Sequence, residues 1–210
     1  MNAHTLTHLP PEKLYNLFMG DFRQLNSQCD ELMQRSWQKA LEKNKNIHRV
    51  EKLHQHGKTF VCDVNASSEK SEMTVHRIIN NGNHFYSIAF NPGTHHFFHF
   101  SEHFFIRYRQ RLNITIDRHD KLLIRFLQHN KINDFTFYPQ KEKNLKSYHN
   151  MLPEGIAYGV YDIENHIYYY RTFISYSHLH FESKVEHSLP FTQQEAFEML
   201  KQKFTVMKAV

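Results

Sequence analysis

The stretch Met73-Thr74-Val75-His76-Arg77-Ile78-Ile79-Asn80-Asn81-Gly82-Asn83-His84-Phe85-Tyr86-Ser87-Ile88-Ala89-Phe90 decides the fold class. Two runs rich in β-branched and aromatic residues flank an Asn-Gly pair, which supplies the positive φ angles that a tight hairpin turn needs. The pattern predicts an antiparallel hairpin, ended by Asn91-Pro92-Gly93. A second hairpin is predicted from residues 155–163 and 166–176, turning at Glu164-Asn165, and residues 58–64, with Thr, Phe and Val, form a further strand candidate.

On both sides of these strands the period changes to that of a helix. Pro10-Pro11-Glu12 suits a helix start, because proline's missing N–H is harmless in the first turn and an early carboxylate complements the dipole. Leu14, Leu17, Phe18, Phe22, Leu25, Cys29, Leu32, Met33, Trp37, Ala40 and Leu41 then recur at steps of three and four. This predicts one long amphipathic helix, or two broken near Gly20, ended by the polar run at 42–46. Its stripe has two uses open to it: packing on the main domain, or a homodimer seam through residues 11–41. Downstream, Ser101 can cap a helix that puts Phe104, Phe105, Tyr108 and Leu112 on one side. A second helix is expected over 117–129, then a short strand at 134–138 and a basic loop at 141–146. A last helix opens with the capping-box spacing Thr192-Gln193-Gln194-Glu195 ahead of Phe197, Leu200 and Phe204. Segregated helices and strands of this kind read as α+β, a largely antiparallel sheet with flanking helices and a long N-terminal amphipathic helix. Residues 1–46 form the helical extension and residues 47–210 a single α+β domain.

Composition narrows the function classes. The 210 residues are 40% hydrophobic and 14% aromatic, with only 6 Gly and 6 Pro, which excludes disordered and collagen-like chains. Lys+Arg exceed Asp+Glu by 26 to 21, and the 18 His raise the net charge of +5 further as pH falls through about 6.5. No run approaches the roughly 18 apolar residues of a membrane span, and the N-terminus lacks the pattern of an export signal, so a cytoplasmic protein with no membrane partner is expected. Cys29 and Cys62 form no CxxC pair and read as free thiols of a reducing compartment. There is no Walker loop, GxGxxG or GxSxG, and no cofactor is expected.

The residues that suggest chemistry lie at Ser101-Glu102-His103-Phe104-Phe105-Ile106-Arg107-Tyr108-Arg109-Gln110-Arg111. On a helix His103, Arg107 and Arg111 are spaced i, i+4, i+8 and form one polar stripe. An imidazole beside two guanidinium forks suits phosphate: His moves a proton near neutral pH, and Arg binds and stabilises anionic oxygens. The plainer reading of such a stripe is a solvated helix face. Tyr168, Tyr170 and the other tyrosines of the second hairpin suit base stacking, or else simply strand packing.

Ser-x-His-Phe-Phe-x-Arg-Tyr-x-x-Arg, a second helix, and strands ending in Tyr170-Arg171-Thr172-Phe173-Ile174-Ser175 together resemble the small ribonuclease toxins of the barnase–EndoU–colicin–RelE-like group. The resemblance covers about residues 101–176. It implies an α+β fold and metal-independent cleavage of RNA, with His103 as general acid or base, Arg107 and Arg111 on the scissile phosphate and Thr172 assisting from a late strand. RNA's own 2′-hydroxyl would then be the nucleophile. Arg109, Tyr168, Tyr170 and Arg171 are the further candidates for holding nucleic acid, and an antitoxin or another acidic protein is the implied protein partner. About a hundred residues precede the motif, unlike the family pattern. Because neighbouring strand residues face opposite sides, Arg171 and Thr172 are not expected to share a site, and Thr172 is expected to share its face with Tyr168 and Tyr170. The competing readings are a non-catalytic module that binds nucleic acid or protein, and a metal site in the His95-to-His103 run. That run lacks the HExxH order and paired cysteines of zinc sites, so no metal ligands are assigned.

Overall fold

The computed structural model describes residues 11–80, 85–132, 135–138 and 144–179. A long helix, α1 (Pro11–Lys43), leads into five strands: β1 (Ile47–Gln55), β2 (Lys58–Ala66), β3 (Ser71–Asn80), β4 (Phe85–Asn91) and β5 (His96–Phe100). Helices α2 (Glu102–Arg111) and α3 (His119–His129) follow, then β6 (Phe135–Phe137), β7 (Leu145–Leu152), β8 (Gly155–Asp162), β9 (Ile167–Ser175) and the single turn α4 (Tyr176–Leu179). The strands form one nine-stranded sheet in the order β1-β2-β3-β4-β5-β9-β8-β7-β6. Two antiparallel meanders, β1 to β5 and β6 to β9, meet where β5 runs parallel to β9, with Phe97 opposite Ile167 and Phe100 opposite Tyr170. The α+β class and the largely antiparallel sheet expected from the sequence are both present.

Strand alternation divides the core into two layers. On β2, Phe60, Cys62 and Val64 face one side and Val61 the other. The first side is covered by α1, whose Phe18, Leu25, Cys29 and Leu32 pack on Phe60, Cys62, Val75, Ile88, Phe90 and Phe97. The second is covered by α2 and α3, which set Phe104, Phe105, Tyr108, Leu122, Leu123, Phe126 and Leu127 on Phe85, Phe98, Phe100, Tyr170 and Phe173. Full burial of each such side chain is worth about 1.5–3 kcal/mol, so both helical layers are held chiefly by apolar area. Asp21 on α1, only 6% exposed, also pairs with Lys58 at 2.6 Å and Arg77 at 2.8 Å. Of the two uses open to the α1 stripe, packing within the chain is the one seen; Trp37 and Leu41 stay exposed near its end. Cys29 and Cys62 are free, buried thiols whose sulfurs lie 3.9 Å apart.

Several elements differ from expectation. Helix α1 runs unbroken through Gly20, which has open space around it. Strands β1 and β7 were not anticipated as strands, and Leu145 and Lys146 open β7 where a loop was expected; β5 and α2 bear out a strand-to-helix change within the His95-to-His103 run. Strand β1 is an edge strand studded with His48, Arg49, Glu51 and Lys52, the charged composition that protects a sheet edge and that hides a strand from propensity reasoning. The Asn81-Gly82-Asn83 turn, the basic residues 141–143 and the helix following Thr192 lie outside the described residues. Among the described residues no helix is long and apolar enough to cross a membrane.

Candidate functional site

Helix α2 is seated on the last strand. The Ser101 hydroxyl accepts a hydrogen bond from the Phe104 N–H at 3.2 Å, closing the first turn, and donates to the Tyr170 carbonyl at 3.1 Å. Further along, Tyr108 donates to the Glu154 carboxylate at 2.6 Å, and Arg125 from α3 grips the same carboxylate with both amino groups at 2.8 and 3.1 Å. Asn130, fully buried at the end of α3, donates to it at 2.7 Å. Burial alone would raise the Glu154 carboxyl, but the hydrogen bonds from Arg125, Tyr108 and Asn130 hold it below its ordinary range. The result is a polar pin between α2, α3 and the β7–β8 turn.

With α2 so fixed, part of the expected stripe is brought together. His103 and Arg107 are both exposed, one turn apart, with the Arg107 Nε–H donating to His103 Nε2 at 3.4 Å. In that bond the Nε2 lone pair is the acceptor. Arg111 is turned to structure, donating to the Phe173 carbonyl at 2.5 Å while its own carbonyl accepts from Ser175 at 3.3 Å. Arg109 reaches Asp117 at 3.3 Å on the exposed rim.

Thr172 does not join them. The β8–β9 register breaks between Tyr158 and Gly159: Gly159 lies opposite Tyr170 and Tyr158 opposite Thr172, leaving Arg171 as an extra residue on β9. Tyr170 and Phe173, three positions apart, consequently both enter the core beneath α2, and Arg171 and Thr172 are carried to the opposite face. The expectation that Arg171 and Thr172 face opposite sides, with Thr172 beside Tyr168 and Tyr170, is thus corrected by one bulge. The stacking role of the tyrosines is corrected as well. Tyr168 is 7% exposed, stacked on Phe98 and Tyr161 at 5.4 and 4.3 Å, and Tyr170 is fully buried, stacked on Phe100 at 4.3 Å. Burial pushes the Tyr168 phenol up to about 12. Neither ring presents a face to a base.

The histidine run is also dispersed. His96 lies beside Tyr161, Tyr168 and His166 on the face that α2 covers, and His99 lies between Tyr86 and Tyr169 on the other. Burial lowers both rings, His99 to about 4. Among the described residues no group of three or more His, Cys, Asp or Glu is placed to hold a metal ion.

Sequence reasoning missed a cleft of about 570 Å³ at the end of the sheet that α2 and α3 leave uncovered. His48, Asp63, Asn65, Glu72, Thr74, Asn91 and Lys131 line it, with Phe98 and Ile132 beneath. Asp63 is 5% exposed and accepts from His48 Nε2 at 2.7 Å. The available signal was parity: Asp63 and Asn65 share a strand face with Val61, which points into the core.

No protein-family description, no curated protein and no solved structure matches the chain.

Proposed function

We propose that this protein is RNA-directed and that the outer face of α2, His103 and Arg107, contacts the phosphate backbone, with Arg109 at the far edge of the same helix beside Asp117. The observation that carries the reading is the exposed imidazole and guanidinium held within 3.4 Å of each other on a helix anchored to the sheet. Arg offers phosphate a planar fork, and the His103 ring, whose Nε2 accepts from Arg107, adds its Nδ1–H as a second donor. Binding without cleavage is favoured over catalysis. Arg111 is occupied by the Phe173 carbonyl, and Thr172 lies across the sheet, so neither of the two groups expected to assist His103 stands beside it.

The second reading, metal-independent cleavage with His103 as general base for the RNA 2′-hydroxyl, draws its support from element order. The helix with His-x3-Arg-x3-Arg, a second helix and an antiparallel run of strands whose last member packs on the first helix is the arrangement that the ribonuclease-toxin resemblance implies.

Labelled single-stranded RNA incubated with the protein in chelator separates the two. Binding that weakens with salt, by roughly 0.7 log units per phosphate contact for each log unit of salt, and that falls in Arg107→Ala with the RNA left intact, supports the binding reading. Cleavage lost in His103→Ala would replace it with the second reading, and RNA that neither binds nor is cut would remove both.

A further inference from the structure

The cleft at the end of the sheet is separate from the α2 stripe, and its construction is informative. On the face shared with the α2–α3 core, successive cross-strand rows change character. Val61 opposite His76 and Ala89 opposite Phe98 belong to the buried rows. The next row sets Val50, Asp63 and Thr74 opposite one another, and the row beyond it His48, Asn65 and Glu72. A sheet end that simply protrudes past its helices needs polar side chains, but it does not need a carboxylate buried to 5% exposure, since removing such a group from water costs free energy unless something specific compensates. Here the compensation is His48. Its Nε2 lies 2.7 Å from Asp63 Oδ1, so Nε2 carries a proton and donates. This leaves Asp63 Oδ2 as an acceptor.

The remaining groups are set up in a complementary sense. Asn91 uses its Oδ1 on the Gly93 and Thr94 N–H groups at 2.9 and 3.2 Å and donates through Nδ2 to Thr74 Oγ1 at 3.3 Å. Thr74 Oγ1 is thereby engaged as an acceptor, and its own O–H remains to donate. Asn65, two positions from Asp63 on the same face, brings an amide that both donates and accepts. Lys70 pairs with Glu72 at 2.6 Å, and the Asp63 carboxylate accepts from His48 at 2.7 Å. Phe98 and Ile132 supply an apolar floor.

We infer that this cleft binds a neutral, hydroxyl-rich small molecule, a saccharide. A ligand hydroxyl is donor and acceptor at once, so it can donate to the Asp63 carboxylate while accepting from the Asn65 amide or the Thr74 hydroxyl. Adjacent hydroxyls on one ring can engage those groups together, and the ring's apolar face can lie on Ile132, where Phe98 borders the cleft. A phosphate or a dicarboxylate fits less well, because Asp63 and Glu72 contribute two carboxylates to the lining and Lys70 is already paired with Glu72. The volume of about 570 Å³ lies within the range of small-molecule sites, roughly 300–1,000 Å³. The inference does not depend on the RNA reading, since it involves neither α2 nor its arginines.

The test is ligand-observed NMR on the full chain with glucose, galactose, mannose, N-acetylglucosamine, ribose and their common disaccharides, and with glucose 6-phosphate and inorganic phosphate as the anionic arm. At least one neutral saccharide is expected to bind, and Asn65→Ala, which lies on the cleft wall and leaves the core untouched, is expected to weaken it about tenfold, the loss of one good hydrogen bond. Asp63→Asn, which keeps shape and volume, is expected to weaken it at least as much, and RNA affinity should be unchanged in both variants. The inference is overturned if no neutral saccharide binds at millimolar concentration, if only the phosphorylated ligands bind, or if both variants bind saccharide as the parent does. Should Asp63→Asn fail to fold, Asn65→Ala decides alone.

Discussion

Acidification from pH 7 to pH 5 should destabilise this protein well before its carboxylates begin to titrate, and His76 is the main reason. Its ring is completely buried on β3, packed 5.7 Å from Phe100 with Ser87 at 3.5 Å as its hydrogen-bonding neighbour among the described residues, and burial depresses it to about 3 from an ordinary 6.5. The unfolded chain therefore takes up a proton near pH 6.5 that the folded chain refuses until about pH 3. Between those values the unfolded state binds more protons, so stability falls as pH falls, by about 1.4 kcal/mol per pH unit. From pH 7 to pH 5 this amounts to about 2 kcal/mol for His76 alone, against a typical total of roughly 5–15 kcal/mol. His99, lowered to about 4 for the same reason, adds a loss of the same sign. Urea unfolding followed by circular dichroism at pH 7, 6 and 5 measures the slope. In His76→Phe, which keeps an aromatic ring beside Phe100, the slope should shrink by about 1 kcal/mol per pH unit over that window, whatever the variant does to absolute stability. Parent stability that is flat between pH 7 and 5, or an identical slope in His76→Phe, would refute the reasoning.

The Glu154 pin gives a second test. Glu154→Ala strips the acceptor from Tyr108, Arg125 and Asn130, and with Arg125 a quarter exposed the cost should be about 3 kcal/mol, or a Tm lower by roughly 6–12 °C by calorimetry. Because the Glu154 carboxyl is held low, its contribution is complete above the unfolded value near 4.3 and disappears as pH drops through the lowered one, so parent and variant should converge in strong acid. Two glycines should respond in opposite directions. A Cβ at Gly159 would strike the Tyr169 carbonyl and stand 2.6 Å from the Tyr148 ring, so Gly159→Ala should lose about 1–3 kcal/mol in a denaturant titration. Gly20→Ala, exposed in the middle of α1 with nothing nearby, should gain about 1 kcal/mol.

What was legible in the sequence tracks how strongly local pattern and tertiary environment agree. The hairpins β3–β4 and β8–β9 and the helices α1, α2 and α3 carry strong periodicity or turn chemistry, and they occur close to where the sequence places them. Strands β1 and β7 were hidden because their sequences, Ile-His-Arg-Val-Glu-Lys-Leu-His-Gln and Leu-Lys-Ser-Tyr-His-Asn-Met-Leu, are too polar to signal a strand; cross-strand pairing makes them strands. For the stripe, helical spacing correctly brought His103 and Arg107 together. It could not show that Arg111 would be drawn to the Phe173 carbonyl, because that partner lies 62 residues away. Nor could alternation place Thr172, since a bulge inserts one residue and reverses every side chain beyond it. The cleft depends on which strand end the helices leave bare, a property of the assembled layers that no single segment encodes.

The parallel seam between β5 and β9 has a consequence for how the chain folds. Each meander closes through neighbours in sequence, whereas Phe97 and Ile167 are 70 positions apart. Joining them carries a loop-closure cost of roughly 4 kcal/mol, against roughly 1 kcal/mol for a short hairpin loop. Two half-sheets can thus form independently and zip together last, with the stacking of Phe100 on Tyr170 at 4.3 Å as part of the reward. The same geometry makes β5 and β9 the edges at which two partly folded copies would exchange halves, so the short connections and the Glu154 pin that hold α2 and α3 over the seam also guard against strand exchange between molecules.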